Sequence, residues 1–261
     1  MSTVERFAPG DFCWIELATS NQNAAKSFYR TLFGWTVRDV PIGPDEMYSL
    51  LELQGRIAAG AFGISPSESA AGVPTHWHLY VAVANADEAA RNAGELGGKV
   101  LEAPFDVMDR GRAALIQDPT GAYFSLWEAK NRPGMGVTGE PGAFCWADLT
   151  TPDQARAKTF YEGLFGWELR PGQGKESDYL HIVNGESYIG GVPPAHRNSA
   201  EAPPRWLIYF AVADVDDTFR QATDMNARIL LQPTDIEGVG RVAMLADPQG
   251  AVFALYREAE K

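Results

Sequence analysis

The sequence predicts an α+β fold made by tandem duplication, and three observations carry that prediction. The stretch FCWIELATSNQNAAKSFYRTLFGW, beginning at Phe12, recurs almost intact as FCWADLTTPDQARAKTFYEGLFGW from Phe144, an offset of 132 residues. The pairs ending at Trp77 and Trp206 lie 129 residues apart, as do DPTGAYFSLW from Asp118 and DPQGAVFALY from Asp247. Collinear repeats at a nearly constant offset mark a duplicated unit of about 130 residues. Within each unit, strand-like alternation gives way to helical spacing twice, which divides it into two strand–helix–strands modules.

The elements follow in order. CWIEL alternates as a strand. Ser20 or Asn21 then caps a helix through NAAKSFYRTLF, in which Ala25, Phe28 and Leu32 share a face. Gly34 stops that helix, and MYSLLEL and RIAAGAFGI continue as half-buried strands. The second module repeats the plan: HWHLYVAV is a strand and DEAARNAGELGG an amphipathic helix ended by Gly97 and Gly98. KVLEAPFDV, GRAALIQD and AYFSLWE are extended. In DPTG, Asp and Pro set the bend before the last strand and Gly supplies the φ > 0 position. The expected boundaries are residues 1–130 for the first domain, a Gly- and Pro-rich linker at 131–143, and residues 144–261 for the second. Each module is expected to cover one sheet face with its own helix, leaving the other apolar until a second module closes against it.

Composition narrows the function classes. Across 261 residues, 22 basic against 34 acidic side chains leave a net charge of -12, with no Lys/Arg cluster to neutralise a row of phosphates, so no nucleic-acid partner is expected. No basic-then-apolar leader and no uninterrupted apolar stretch of about 18 residues occurs, so we expect no signal peptide and no membrane span, hence a cytoplasmic protein. The cysteines, Cys13 and Cys145, occupy matching places before tryptophans and read as buried thiols. Two are too few for a disulfide framework or a CxxC…CxxC metal site.

With FYRTLFGW after the first strand and DPTG before the last, the chain resembles the vicinal oxygen chelate superfamily of glyoxalase I, bleomycin-resistance proteins, fosfomycin-resistance enzymes and extradiol dioxygenases. Both copies are covered, and the resemblance is greatest to tandem two-domain glyoxalase-like proteins. It implies glyoxalase-like domains, each of two paired βαβββ modules forming a cupped sheet. In metal-dependent members, His and Glu project into that cup and hold an ion acting as a Lewis acid.

Aligned on those motifs, the ligand positions carry other residues here. The first-strand position falls on Trp14 and Trp146, whose indoles have no lone pair for a metal. The last-strand position falls on Ser125 and Ala254. The remaining strand supplies His78 in the first copy and Leu207 in the second. A stable transition-metal site needs three or four protein ligands. No cofactor is therefore expected, a divalent metal being the alternative, with His78 its candidate ligand.

Other residues keep two readings open. Glu16 and Asp148 stand two positions after their tryptophans and so share the inward face. Each is either paired structurally, with Arg112 or Arg241 of the GR strands, or a ligand contact or general base. His78 is a structural group, a ligand contact or a base. With His76 and Glu16 it would complete a 2-His-1-carboxylate set. Glu128 should point away from Ser125. Trp14, Trp146, Trp77, Trp206, Trp127 and Tyr256 either pack the sheets and the interdomain seam or line an aromatic pocket; Trp35 and Trp167 read as core.

Two functions compete. One is a protein that binds a small apolar or aromatic ligand without metal, contacting it through Trp14, Glu16, His78, Arg112 and Ser125 in one cup and Trp146, Asp148 and Arg241 in the other. The alternative is a glyoxalase-like lyase, or a dioxygenase or hydroxylase, using a degenerate site around His78 and Glu16. Either a monomer or a homodimer is compatible, since two fused units supply what a dimer of single units would.

Overall fold

The computed structural model describes residues 6–44, 46–172, 178–195 and 203–259. In the first repeat β1 (Phe12–Thr19) leads to α1 (Gln22–Phe33), β2 (Thr36–Pro41), β3 (Met47–Leu53) and β4 (Arg56–Gly63). After the short α2 (Pro66–Ala70) come β5 (His76–Ala82), α3 (Ala86–Glu95), β6 (Lys99–Val107), β7 (Gly111–Gln117) and β8 (Tyr123–Ala129). The second repeat has β9 (Phe144–Thr150), α4 (Gln154–Phe165), β10 (Glu168–Pro171), β11 (Leu180–Asn184) and β12 (Ser187–Val192). It continues with β13 (Arg205–Ala211), α5 (Val215–Asp224), β14 (Arg228–Ile236), β15 (Gly240–Ala246) and β16 (Val252–Glu258).

Each repeat forms one eight-stranded sheet, ordered β2-β3-β4-β1-β5-β8-β7-β6 and β10-β11-β12-β9-β13-β16-β15-β14. The two modules of a repeat join edge to edge, through antiparallel pairing of β1 with β5 and of β9 with β13. A register shift between Phe12 and Trp14, matched between Tyr209 and Phe210, marks a bulge at this seam. A bulge breaks alternation locally. Phe12 thereby turns to the core beside Phe144, Trp167 and Trp206, while Trp14 and Glu16 share the opposite face.

The helices begin and end as their sequences dictate. Asn21, rather than Ser20, caps α1 by accepting from the Ala24 N–H at 3.1 Å, and Asp153 does the same for α4 from the Arg156 N–H. Gly34 and Gly166 terminate them at φ 69° and 70°, the left-handed region open to glycine. Strands β2 and β10, absent from the sequence reading, are short and largely exposed, so neither shows a run of apolar residues.

The helices are not used as expected. Rather than covering only its own sheet, α1 packs Phe28, Tyr29 and Phe33 against Phe253 and Phe210 of the second repeat. In return α4 packs Phe160, Tyr161 and Phe165 against Phe124 of the first. The apolar faces of the modules are thus closed by the other repeat. Burying each such ring contributes about 1.5–3 kcal/mol. The two halves consequently share one continuous apolar core.

Polar groups inside this seam are paired reciprocally. Trp77 Nε1 donates to the Tyr29 hydroxyl at 3.0 Å, which donates to Asp247 Oδ2 at 2.9 Å. Trp206 Nε1 donates to Tyr161 at 3.2 Å, which donates to Asp118 Oδ2 at 2.9 Å. The other oxygen of each aspartate accepts the N–H groups of its own turn, those of Thr120, Gly121 and Ala122 or of Gln249, Gly250 and Ala251. The DPTG and DPQG turns are therefore also fasteners between repeats. Trp35 and Trp167 are core residues, and their Nε1 atoms donate to the Gly142 and Gly10 carbonyls.

Residues 130–143 form a packed strap. Its Lys130 and Arg132 N–H groups donate to the Arg110 carbonyl, Met135 N–H to Cys13, and Gly136 N–H to Ile57. Arg56 holds Glu140 through two 2.7 Å bonds, and Met135 and Val137 are fully buried. Among the described residues, no helix is long and apolar enough to cross a membrane.

Candidate functional site

The face of each sheet away from the helices carries a carboxylate held by two tyrosines and a tryptophan. In the first cup, β1 presents Trp14 and Glu16, β3 presents Tyr48 and β5 presents His78 and Tyr80. Glu16 Oε2 accepts from the Tyr48 hydroxyl at 2.5 Å and Oε1 from Tyr80 at 2.7 Å. Trp14 Nε1 donates to the Tyr48 oxygen at 3.2 Å. In the second cup, Asp148 Oδ1 accepts from Tyr179 at 2.6 Å and from Trp146 Nε1 at 3.0 Å, and Oδ2 from Tyr209 at 2.8 Å.

Two glycines make room for this arrangement. Gly60 of β4 and Gly191 of β12 lie where Tyr48 and Tyr179 cross the neighbouring strand, and a Cβ at either would collide with the phenol. The tyrosines escaped the sequence reading. Their offsets, 131 residues for Tyr48 and Tyr179 and 129 for Tyr80 and Tyr209, were the available signal.

Burial raises the pKa of Glu16 above the usual carboxylate range, opposed by the donors Tyr48, Tyr80 and Trp14. Asp148 is raised for the same reason, opposed by Tyr179, Tyr209 and Trp146. The phenols of Tyr48, Tyr80 and Tyr209 lie well above their ordinary value, first through burial and then through the adjacent carboxylate. They are proton donors held in place.

The first cup adds a polar chain. His78 is opposite Glu16 in register, and its Nε2 lies 2.8 Å from Ser125 Oγ. Ser125 stands opposite Tyr80 in the β5–β8 register, and Tyr80 donates to Glu16. Burial, aided by the nearby His76, lowers the His78 pKa to about 3, so the imidazole is neutral at physiological pH. His76 turns its Nδ1–H to the Pro74 carbonyl at 2.8 Å. In the second cup Leu207 and Ala254 replace His78 and Ser125. A histidine returns on another strand: His181 of β11 stands where the first repeat has Leu50, its ring among Trp146, Tyr179 and Tyr188.

Several site expectations need correction. Arg112 and Arg241 do not pair with Glu16 and Asp148. Arg112 binds Asp87 and Asp106, and Arg241 binds Asp216 and Asp235, on exposed surfaces. The reason is strand alternation: Arg112 is in register with Glu128, on the face opposite Ser125. Glu128 itself accepts from the Ala86 N–H at the start of α3. Trp77 and Trp206 belong to the seam, whereas Trp127 lies near Tyr80 and donates to the Arg132 carbonyl in the strap. Cys13 is a buried thiol with its pKa pushed up, and Cys145 is half-buried with its own pushed up to about 12. Neither is a ready nucleophile.

The donors present do not fit a divalent ion. His76, His78 and Glu16 do not gather into a ligand set, and no group of three or more His, Cys, Asp or Glu among the described residues could hold a metal. Glu16 and Asp148 have both oxygens engaged by phenols, and the tryptophans beside them offer only N–H groups.

A family model described as Glyoxalase/Bleomycin resistance protein/Dioxygenase superfamily matches residues 12–126 and again 144–255. A Mycobacterium tuberculosis protein named "Putative glyoxylase CFP32" is 36% identical over 254 residues, 94% of each chain. Anthracycline biosynthesis protein DnrV of Streptomyces peucetius is 32% identical over 264 residues, covering 96% of this chain and 94% of that one. The Mn(II)-bound glyoxalase from Novosphingobium aromaticivorans aligns with TM-score 0.64 at 15% identity, over 97% of this chain and 84% of that one. The 2,3-dioxygenase LapB from Pseudomonas sp. KL28 aligns with TM-score 0.64 at 14% identity, over 100% and 94%. These structural likenesses show the fold, while the family model covers both repeats. The chain belongs to the glyoxalase/bleomycin resistance protein/dioxygenase superfamily.

Proposed function

We propose that this protein binds a small planar aromatic or apolar molecule in a cup, without the divalent ion used by metal-dependent relatives. One observation carries the reading. The inward positions hold a carboxylate clasped by two phenols and an indole, in both repeats, where a metal would need free lone pairs. Aromatic walls with a few fixed hydrogen-bonding groups suit recognition of a flat ligand. The name of the Streptomyces relative supports polycyclic aromatics as a class to test.

The test is equilibrium titration of chelator-treated protein with an anthracycline, followed by quenching of tryptophan fluorescence. Saturable binding unaffected by the chelator is the expected result. Binding that appears only on adding metal would defeat the proposal.

A second reading rests on Glu16, whose oxygens meet the Tyr48 and Tyr80 hydroxyls beside the His78–Ser125 pair in the first cup. It assigns Glu16 the role of base in a glyoxalase-like reaction. Turnover of a hemithioacetal, abolished in Glu16→Gln and retained in chelator, would favour it over binding alone.

A further inference from the structure

The two cups are not equally open. In the first, the strap crosses the start of β1: Met135 N–H donates to the Cys13 carbonyl and Gly136 N–H to the Ile57 carbonyl. Beneath it Cys13 is fully buried and Trp14 is 7% exposed. In the second, among the described residues, no loop N–H reaches the Cys145 or Tyr188 carbonyl at the matching places. Cys145 and Trp146 are half-buried there, and Tyr188, the counterpart of Ile57, is 54% exposed.

The uncovered place has a definite chemistry. The His181 ring lies 6.2 Å from Trp146, 5.0 Å from Tyr179 and 5.4 Å from Tyr188, in each case edge to face. Its Nδ1 is buried and has no hydrogen-bond partner. A native structure rarely leaves a buried ring nitrogen unpaired, because the lost hydration is not recovered. The first cup contributes no such orphan among the described residues; its matching position is Leu50.

We propose that the second cup is the ligand-binding cup. Its ligand is a planar aromatic ring bearing a hydroxyl or acid oxygen, stacked against Trp146 and Tyr188 and hydrogen-bonded to His181 Nδ1. This deepens the binding reading above and rests on it. The first cup, closed by its own strap, is the structural counterpart. An oxygen on the ligand's ring supplies what Nδ1 lacks.

The full chain is titrated with 1-anilinonaphthalene-8-sulfonate, whose fused rings and sulfonate present both features, and Kd is read from dye fluorescence. Trp146→Phe, His181→Leu and Tyr188→Ala are expected to weaken binding at least about fivefold, roughly 1 kcal/mol at 1.4 kcal/mol per tenfold. Trp14→Phe and Leu50→Ala are expected to leave it within about twofold. Tyr188 is exposed, so its truncation spares the fold. Weakening by Trp14→Phe but not by the second-cup variants would overturn the assignment while leaving a cup-binding protein. Binding indifferent to both tryptophans, or no binding, would overturn both.

Discussion

Replacing Tyr29 by phenylalanine removes one oxygen at the seam and strands two partners. The Trp77 indole N–H, 3.0 Å away, loses its acceptor, and Asp247 Oδ2, at 2.9 Å, loses its side-chain donor. Both partners are buried, at 5% and 3% exposure, so water does not replace the bonds. Each unsatisfied buried group costs about 1–3 kcal/mol, more beside a charge, which gives about 3–5 kcal/mol for the pair. At about 2–4 °C per kcal/mol for a chain of this size, Tm falls by about 10 °C. A pH signature accompanies the loss. Burial raises the Asp247 pKa and the Tyr29 bond opposes that rise, so the variant's carboxyl titrates higher still. A carboxyl raised in the folded state is most stabilising when protonated, and its contribution declines as pH rises from the ordinary carboxylate range through the folded pKa. The deficit of Tyr29→Phe is therefore larger at pH 7 than at pH 4.5. Denaturant unfolding at both values measures it. A loss below about 1 kcal/mol, within the range of an ordinary surface change, would refute the role assigned to these bonds.

Gly60→Ala and Gly191→Ala force a Cβ into the Tyr48 and Tyr179 phenols, and should each cost about 1–3 kcal/mol in denaturant unfolding, with ligand binding weakened by Gly191→Ala alone. His78, with its pKa lowered to about 3, should show no imidazole titration between pH 5 and 8 by nitrogen-detected NMR. Because the unfolded histidine takes up a proton first, this group's contribution to stability is present above about pH 6.5 and declines as pH falls towards 3. His78→Leu should flatten that part of the wild-type pH profile.

The repeat, the caps and the turns were legible because they are local. Asn21, Gly34 and the DPTG turn act on neighbours within a few residues. The partnership of Tyr29 with Asp247 was not, since it joins positions 218 residues apart in two repeats that each look self-sufficient. Glu16 and Asp148 were placed on the inward face by counting from Trp14 and Trp146. Charge alone points Glu16 and Asp148 to the arginines, but strand alternation decides which side chains meet, and it sets Arg112 on the far face with Glu128. His181 was hidden by comparing the repeats only at inherited ligand positions. The histidine moved from β5 to β11 between the cups, and a position-by-position comparison sees two losses there rather than an exchange.

The most direct test of a metal-independent cup is the metal content of protein purified without chelator, by plasma mass spectrometry, followed by titration with Zn, Ni, Mn and Fe(II) under exclusion of oxygen. The account predicts well under one equivalent of metal and no tight uptake, with His78→Ala indistinguishable from wild type. Near-stoichiometric metal that disappears in His78→Ala would contradict it and return the first cup to lyase or dioxygenase chemistry.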